Sequence, residues 1–352
     1  GTMVKKVSMD MIQPFCRDIS AFEMKEFSGG TKFRNGDTLM ARITPCLENG
    51  KTVKVNILYN NEIGFGSTEY IVFRAIDGIT DADFIYYLIC SPIVRKPAIK
   101  SMVGSSGRQR VQTDVLKNLE IRLPDLKTQC KIGSLLKSLD DKIELNNRIN
   151  KNLEEQEQAI FKNFFSKFKQ NGILSDIADI TMGQSPKGTS YNMTGAGIVF
   201  FQGRTDFGYR FPTVRMYTTE PKKMAETGDI LMSVRAPVGD LNIAHQKCCI
   251  GRGLASIRSK NNHNSFLFYT LSNIKEQLDI FNGQGTVFGA INRKSLKELI
   301  ISVPPCELIE KFEMIVSPLD KVIRNNYNEN QRLSALRDAL LPELMSGKIK
   351  IP

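Results

Sequence analysis

The chain is written twice, and an internal repeat constrains the architecture more than any local propensity does. Leu116-Lys-Asn-Leu119-Glu-Ile-Arg-Leu-Pro124 aligns with Leu296-Lys-Glu-Leu299-Ile-Ile-Ser-Val-Pro304 at a shift of 180 residues. The same shift pairs Leu139-Asp140 with Leu319-Asp320, Ile143 with Ile323, Asn146 with Asn326, Leu153 with Leu333 and Ala159 with Ala339. Upstream the shift drifts as separate insertions would make it do. Phe84-Ile-Tyr86-Tyr-Leu88 answers Leu267-Phe-Tyr269-Thr-Leu271 at 183, and Gly36-Asp37-Thr-Leu39-Met40 answers Gly228-Asp229-Ile-Leu231-Met232 at 192. Two copies follow, each a globular part leading into a helix.

The globular parts have a mixed texture. Short β-rich runs at Val53–Ile57, Tyr70–Phe73, Ile198–Phe201, Asp229–Val234 and Leu299–Val303 are broken by Gly, Pro and Asn, and a helix starting at Asp or Asn is expected near Asp81–Cys90 and Asn264–Ile274. The expectation is an α/β fold of about 125 residues per copy, with loops long enough to carry a binding surface.

Behind each globular part the spacing changes. Ile132, Leu136, Leu139, Ile143, Ile149, Leu153 and Ile160 recur mostly in threes and fours once Asn146 is counted, with no Pro or Gly between Ser134 and Gln170. This predicts a long helix with a coiled-coil seam. The second copy offers Ile309, Phe312, Val316, Leu319, Ile323, Leu333, Leu336 and Leu340, ending at Pro342, with Pro318 expected to restart or kink the helix. The two helices are expected to pack antiparallel with pseudo-two-fold symmetry. Asn146 and Asn326 either pair in the seam, fixing register, or face water.

Charge narrows the partner. Forty-eight Lys+Arg against thirty-seven Asp+Glu give +11, which suits a polyanion. No uncharged apolar run approaches the ~20 residues of a membrane span, and the start lacks an apolar stretch behind its lysines, so a cytoplasmic protein with no membrane partner is expected. Seven scattered cysteines without a C-x-x-C encode neither a disulfide framework nor a zinc ribbon.

Catalytic chemistry finds little material. A DNA methyltransferase needs an Asn/Asp-Pro-Pro-aromatic motif, whereas Val303-Pro304-Pro305-Cys306 has the wrong neighbours; Gly183–Thr189 lacks the Gly-Lys-Ser/Thr ending of a phosphate loop. Pro124-Asp125 with Asp140-Asp141-Lys142 superficially resembles a metal-nuclease set, but the second copy does not reproduce it. His245, Cys248 and Cys249 do not make four spaced zinc donors. The reading is a non-catalytic chain with no cofactor and no metal; a metal-dependent nuclease and a purely structural coiled-coil DNA-binding protein remain the alternatives.

What remains is a set of basic and amide-rich loops. Gly104-Ser-Ser-Gly107-Arg108-Gln109-Arg110 and the segment 283–294, which carries Asn292 and Arg293, stand at matching places before the last expected strand of each copy. Lys32, Arg34, Arg42 and Lys51 join them in the first copy, and Lys187, Gln202, Arg204, Arg210 and Arg235 in the second. Arg and Lys neutralise phosphates, while Arg, Gln and Asn form paired hydrogen bonds with base edges.

The whole pattern resembles the specificity subunit of type I restriction-modification systems. The resemblance is carried by Gly183-Gln-Ser185-Pro186 after Leu174–Ile180, the two Gly-Asp-x-Leu-Met segments, the run 285–293 before Leu299–Pro304, and the two seam helices, and it covers nearly the entire chain. It implies two target recognition domains, at 1–125 and 170–305, each reading one half of a split site in double-stranded DNA. It implies helices at 126–169 and 306–345 that hold the domains apart and dock methyltransferase subunits, which restriction subunits then join. One departure is that the first copy has no counterpart of roughly Leu174–Pro186. Gly1-Thr2 ahead of Met3 reads as a cloning remnant, so the first domain is expected to be either trimmed or naturally short.

Overall fold

The computed structural model describes residues 2–283 and 289–351. The chain divides into two compact units, Gly1–Asn147 with Tyr327–Pro352, and Arg148–Asn326. Each unit therefore holds one globular part and one stretch of each long helix.

In the first unit a mixed sheet runs in the order Glu23–Glu26, Met3–Val7, Gly64–Gly66, Thr31–Phe33, with Met3–Val7 parallel to Gly64–Gly66. A second, antiparallel sheet places Thr38–Ala41 between Thr52–Lys54 and Tyr70–Phe73. The second unit repeats the plan. Tyr191–Asn192, Tyr217–Thr218, Ile198–Phe201, Cys248–Ile250 and Met224–Ala225 form the mixed sheet, again with one parallel pair, Ile198–Phe201 on Cys248–Ile250. Ile230–Ser233 sits between Leu241–Ile243 and Leu254–Ser259, and Ala178–Met182 adds a fourth strand beyond Leu254–Ser259. That fourth strand has no counterpart among the described residues of the first unit, as the missing Leu174–Pro186 segment implies.

The Gly-Asp-x-Leu-Met segments show why the pattern is needed. Successive side chains on a strand point to opposite faces. Leu39 joins the core between the two sheets while Met40 joins the core under the helices. Leu231 and Met232 divide the same way. All four residues of Thr38–Ala41 and of Ile230–Ser233 are buried, so each central strand is covered on both faces.

The helix expected near Asp81–Cys90 spans Ala82–Cys90, capped by Asp81, whose carboxylate accepts from Phe84 N at 2.8 Å. The other spans Asn264–Asn273. An unexpected helix, Pro92–Lys100, starts with Pro92 in its first turn, where proline's missing N–H costs nothing. The expected strand near Leu119–Pro124 does not form. Its equivalent, Ile300–Ile301, pairs with Gly172–Ile173, and no described segment offers that edge in the first unit.

The two long helices are Leu126–Phe165 and Cys306–Met345. Asp125 caps the first, accepting from Thr128 N at 3.0 Å. The second stays helical through Pro318 and past Pro342, so the expected restart does not occur; Pro318 is exposed and its ring lies toward solvent. The helices pack antiparallel in each unit: Asp140 meets Arg337 and Asn146 meets Asn330 in the first, while Asn150 meets Asn326 and Phe161 meets Phe312 in the second.

The seam is more polar than its spacing suggests. Ile132, Leu136, Ile309, Phe312, Val316 and Ile323 are buried, but Ile149 and Leu336 are exposed. Asp140, Asn146, Asn150 and Glu157 occupy the buried strip instead, because it runs 136, 140, 143, 146, 150, 153, 157 in steps of three and four. The asparagines are seam residues, each with its own partner. Asn146 donates to Asn330 Oδ1 at 2.9 Å and to Glu329 Oε2 at 2.8 Å, and Asn326 donates to Asn150 Oδ1 at 2.8 Å.

Candidate nucleic-acid interface

Each globular part carries one buried carboxylate at the entry of its central strand. Asp37, next to Gly36 at φ +87°, takes a two-point hydrogen bond from Arg74, 2.7 Å at both Nε and Nη2. Asp229, next to Gly228 at φ +91°, takes the same fork from Arg258 at 2.7 and 2.9 Å. Each Asp also accepts from the backbone N–H three residues before it, Arg34 and Glu226. The Gly-Asp motif is thus a turn lock at the entry of the central strand, and its arginine partner comes from a distant segment, just past Tyr70–Phe73 in one copy and within Leu254–Ser259 in the other.

From the end of that strand the chain enters a loop with a cis proline, Thr44-Pro45 in one unit and Ala236-Pro237 in the other. Both loops reach the basic segment expected at the interface. Thr44 N donates to Gln109 O and Ile43 bridges to Arg110; Ala236 N donates to Gly289 O and Arg235 bridges to Ala290.

In the first unit this brings Arg42, Gln109 and Arg110 together, with Arg108 exposed beside them. Arg110 is not a bare cation: its Nε and Nη2 grip Glu69 at 2.9 and 2.8 Å, and Arg42 Nε lies 3.8 Å from the same carboxylate. Lys51 turns inward to Met9 O at 2.7 Å. Lys32 lies over the Phe27 ring at 4.6 Å, and the side chain of Arg34 is exposed.

In the second unit Gln202, Arg204 and Arg235 line one cleft of 340 Å³ together with Ser185, Thr205 and Arg252. Arg252 was not anticipated. Its signal was present: it stands between Gly251 and Gly253, and a Cβ on either glycine would come within 2.9 or 2.8 Å of Gln202 O. Two glycines therefore let the chain lie against Gln202 and present Arg252 to the cleft. Arg204 pairs with Asp240. Lys187 is exposed, whereas Arg293 donates to Ile180 O at 3.5 Å. Asn292 is committed to capping, accepting from Ser295 N at 2.9 Å. Residues 284–288 of the 283–294 loop lie outside the described residues.

Arg210 is a correction. Its side chain is 2 % exposed, with Nη1 3.1 Å from Glu154, Nη2 3.2 Å from Glu157, and Asp320 closing the cluster. Burial alone would pull the guanidinium pKa down, but Asp320, Tyr269 and Glu157 outweigh it and the pKa rises. Arg210 fastens the globular part to the helices, its guanidinium paired with these carboxylates and turned away from solvent. Arg17, missed in the sequence, is its counterpart: Lys54 N donates to Arg17 O as Ile243 N donates to Arg210 O, and Arg17 Nη2 reaches Asp141 at 2.6 Å. The nuclease-like acids are occupied likewise. Asp140 pairs with Arg337 and Tyr87, and Lys142 lies 3.3 Å from Glu329.

The comparisons agree with this architecture. A family profile described as the type I restriction modification DNA specificity domain matches residues 23–155 and 169–337. The putative type I restriction enzyme MjaX specificity subunit of Methanocaldococcus jannaschii is 36 % identical, over 72 % of this chain and 64 % of its own length. The chain thus spans under two thirds of that relative. The HindI specificity subunit of Haemophilus influenzae is 24 % identical over 93 % of this chain and 90 % of its own. In fold, the chain resembles the S subunit of a type I restriction-modification system from M. genitalium, with TM-score 0.58, 16 % identity, and 95 % and 90 % of the two chains covered. Among the described residues no helix is long and apolar enough to cross a membrane. With the family profile present twice and covering most of the sequence, the chain belongs to the type I restriction-modification DNA specificity family.

Proposed function

We propose that the chain is the non-catalytic subunit that reads a bipartite site in double-stranded DNA for a type I restriction-modification complex in the cytoplasm. Residues 1–125 and 170–305 serve as the two target recognition domains, and the long helices as the docking frame for methyltransferase subunits, with a restriction subunit joining the assembly. The observation that carries this reading is the repeated loop pair, which gathers Arg42, Arg108, Gln109 and Arg110 in one copy and Gln202, Arg204, Arg235 and Arg252 in the other. Arginine and glutamine are the side chains that read guanine and adenine edges in the major groove.

The test is co-expression with a type I methyltransferase partner, followed by mapping of methylated bases in host DNA. The expected result is one split motif that vanishes when this chain is omitted. Methylation of an unsplit sequence, or methylation independent of this chain, overturns the proposal.

A further inference from the structure

A donor cluster stands apart from the basic loops, where the second unit's globular part enters the long helix Cys306–Met345. His263, Cys306 and Glu310 each offer one ligand atom, and these atoms all lie within 4.8 Å of one another. Cys306 and Glu310 share one face of the first helical turn, four residues apart, with Cys306 Sγ donating to Glu310 Oε1 at 3.4 Å. His263 precedes the helix Asn264–Asn273 and is held through its backbone, whose N–H donates to Ser259 Oγ at 2.9 Å. Its imidazole has no hydrogen-bond partner among the described residues.

We propose that His263, Cys306 and Glu310 form a binding site for a divalent zinc-class cation. A thiolate, an imidazole and a carboxylate are the mixed soft and borderline donors that suit zinc rather than magnesium or calcium. Their charges also balance: one thiolate and one carboxylate neutralise a divalent ion. Tetrahedral zinc places neighbouring donors about 3.3–3.6 Å apart. The donors lie within 4.8 Å of one another, and Cys306 and Glu310 are exposed, so their side chains are not locked by packing. His263 and Cys306 also line an adjoining cavity of 240 Å³ with Ser259 and Asn261, which leaves room for a water ligand beside the cluster.

Such an ion joins the loop before Asn264–Asn273 to the start of the long helix, a bond the other copy does not repeat. The positions equivalent to His263, Cys306 and Glu310, at shifts of 183, 180 and 180, are Thr80, Leu126 and Cys130. The site is therefore peculiar to the second copy.

The full chain, stripped with chelator and titrated with Co2+ under reducing conditions, tests it. One equivalent should bind with a thiolate-to-metal charge-transfer band, and Zn2+ should displace it. C306S should abolish the band, while H263A and E310Q should each weaken Co2+ affinity by about tenfold or more. C130S should leave binding unchanged, and circular dichroism of each variant confirms folding. No band in the wild-type chain, a band that survives C306S, or an affinity untouched by H263A overturns the proposal.

Discussion

Asp140 accepts a hydrogen bond from Arg337 Nη1 at 2.7 Å, and the repeat converts this attractive pair into two acids. A shift of 180 carries Asp140 to Asp320 and takes Arg337 back to Glu157. In the second unit Arg210 supplies the missing positive charge from the globular part, with its guanidinium also 4.6 Å over the Phe268 ring. One cation among Glu154, Glu157 and Asp320 leaves an excess of negative charge. Burial first, and then the Asp320 carboxylate, push the Glu157 carboxyl up to about 7, against the pull of Arg210 and Tyr269.

Removing Arg210 should therefore cost more than an ordinary charge deletion. R210A strands buried carboxylates, and we expect a loss of about 3–5 kcal/mol in urea unfolding. The double variant R210A/E157Q should recover part of it, since one of the stranded charges is gone. A loss below about 1 kcal/mol, the range of a surface ion pair, would show that the cluster is solvated.

The same cluster sets a pH dependence. Folded Glu157 holds its proton more tightly than the unfolded chain, where the carboxyl titrates near 4.5. Stability from this group is complete below that value and is lost as pH rises toward about 7. E157Q should flatten this fall, so the variant gains on the wild type between about pH 5 and pH 8. Parallel urea midpoints across that range decide it.

The turn lock should behave alike in both copies. Asp229 is 3 % exposed and accepts from Arg258, Ser256 and the Glu226 backbone, so D229A should cost about 1–3 kcal/mol through the donors left without an acceptor, and D37A a similar amount. R258A should cost less, because Asp229 keeps two of its three donors, Ser256 Oγ and the Glu226 backbone N–H. Thermal unfolding of the four single variants, including R74A, checks the equivalence.

The cleft arginines separate positioning from reading. In the assembled complex, R235A or R252A should lower the logarithmic salt slope of DNA binding by about 0.9 where the lost contact is to a phosphate. Where it is to a base, the slope holds and one position of the second half-site becomes degenerate. R108A makes the same test of the first half-site. A variant that changes neither slope nor methylated sequence places its arginine outside the interface.

How far the sequence reached depends on where each partner sits. The repeat, the long helices and the Leu231/Met232 strand were legible because periodicity and self-similarity are carried by the order of residues alone. The Pro318 restart failed because an exposed proline within a packed helix loses one hydrogen bond while its neighbours keep their tertiary contacts. Arg210 was misassigned because composition cannot distinguish a guanidinium facing solvent from one facing Glu157 and Asp320. Arg17, Arg74 and Arg258 were missed for the same reason: each finds its carboxylate on another element, at a separation no motif records.

The asparagine pairs of the seam carry a consequence of their own. Asn146 with Asn330, and Asn150 with Asn326, are joined by amides, which neither gain nor lose a proton across the physiological range. The flanking contacts, Asp140 with Arg337 and Glu157 with Arg210, depend on ionisation. The amide-to-amide contacts carry no titratable proton, so part of the alignment of one helix along the other is set by bonds that a change of charge on the flanks leaves chemically unchanged.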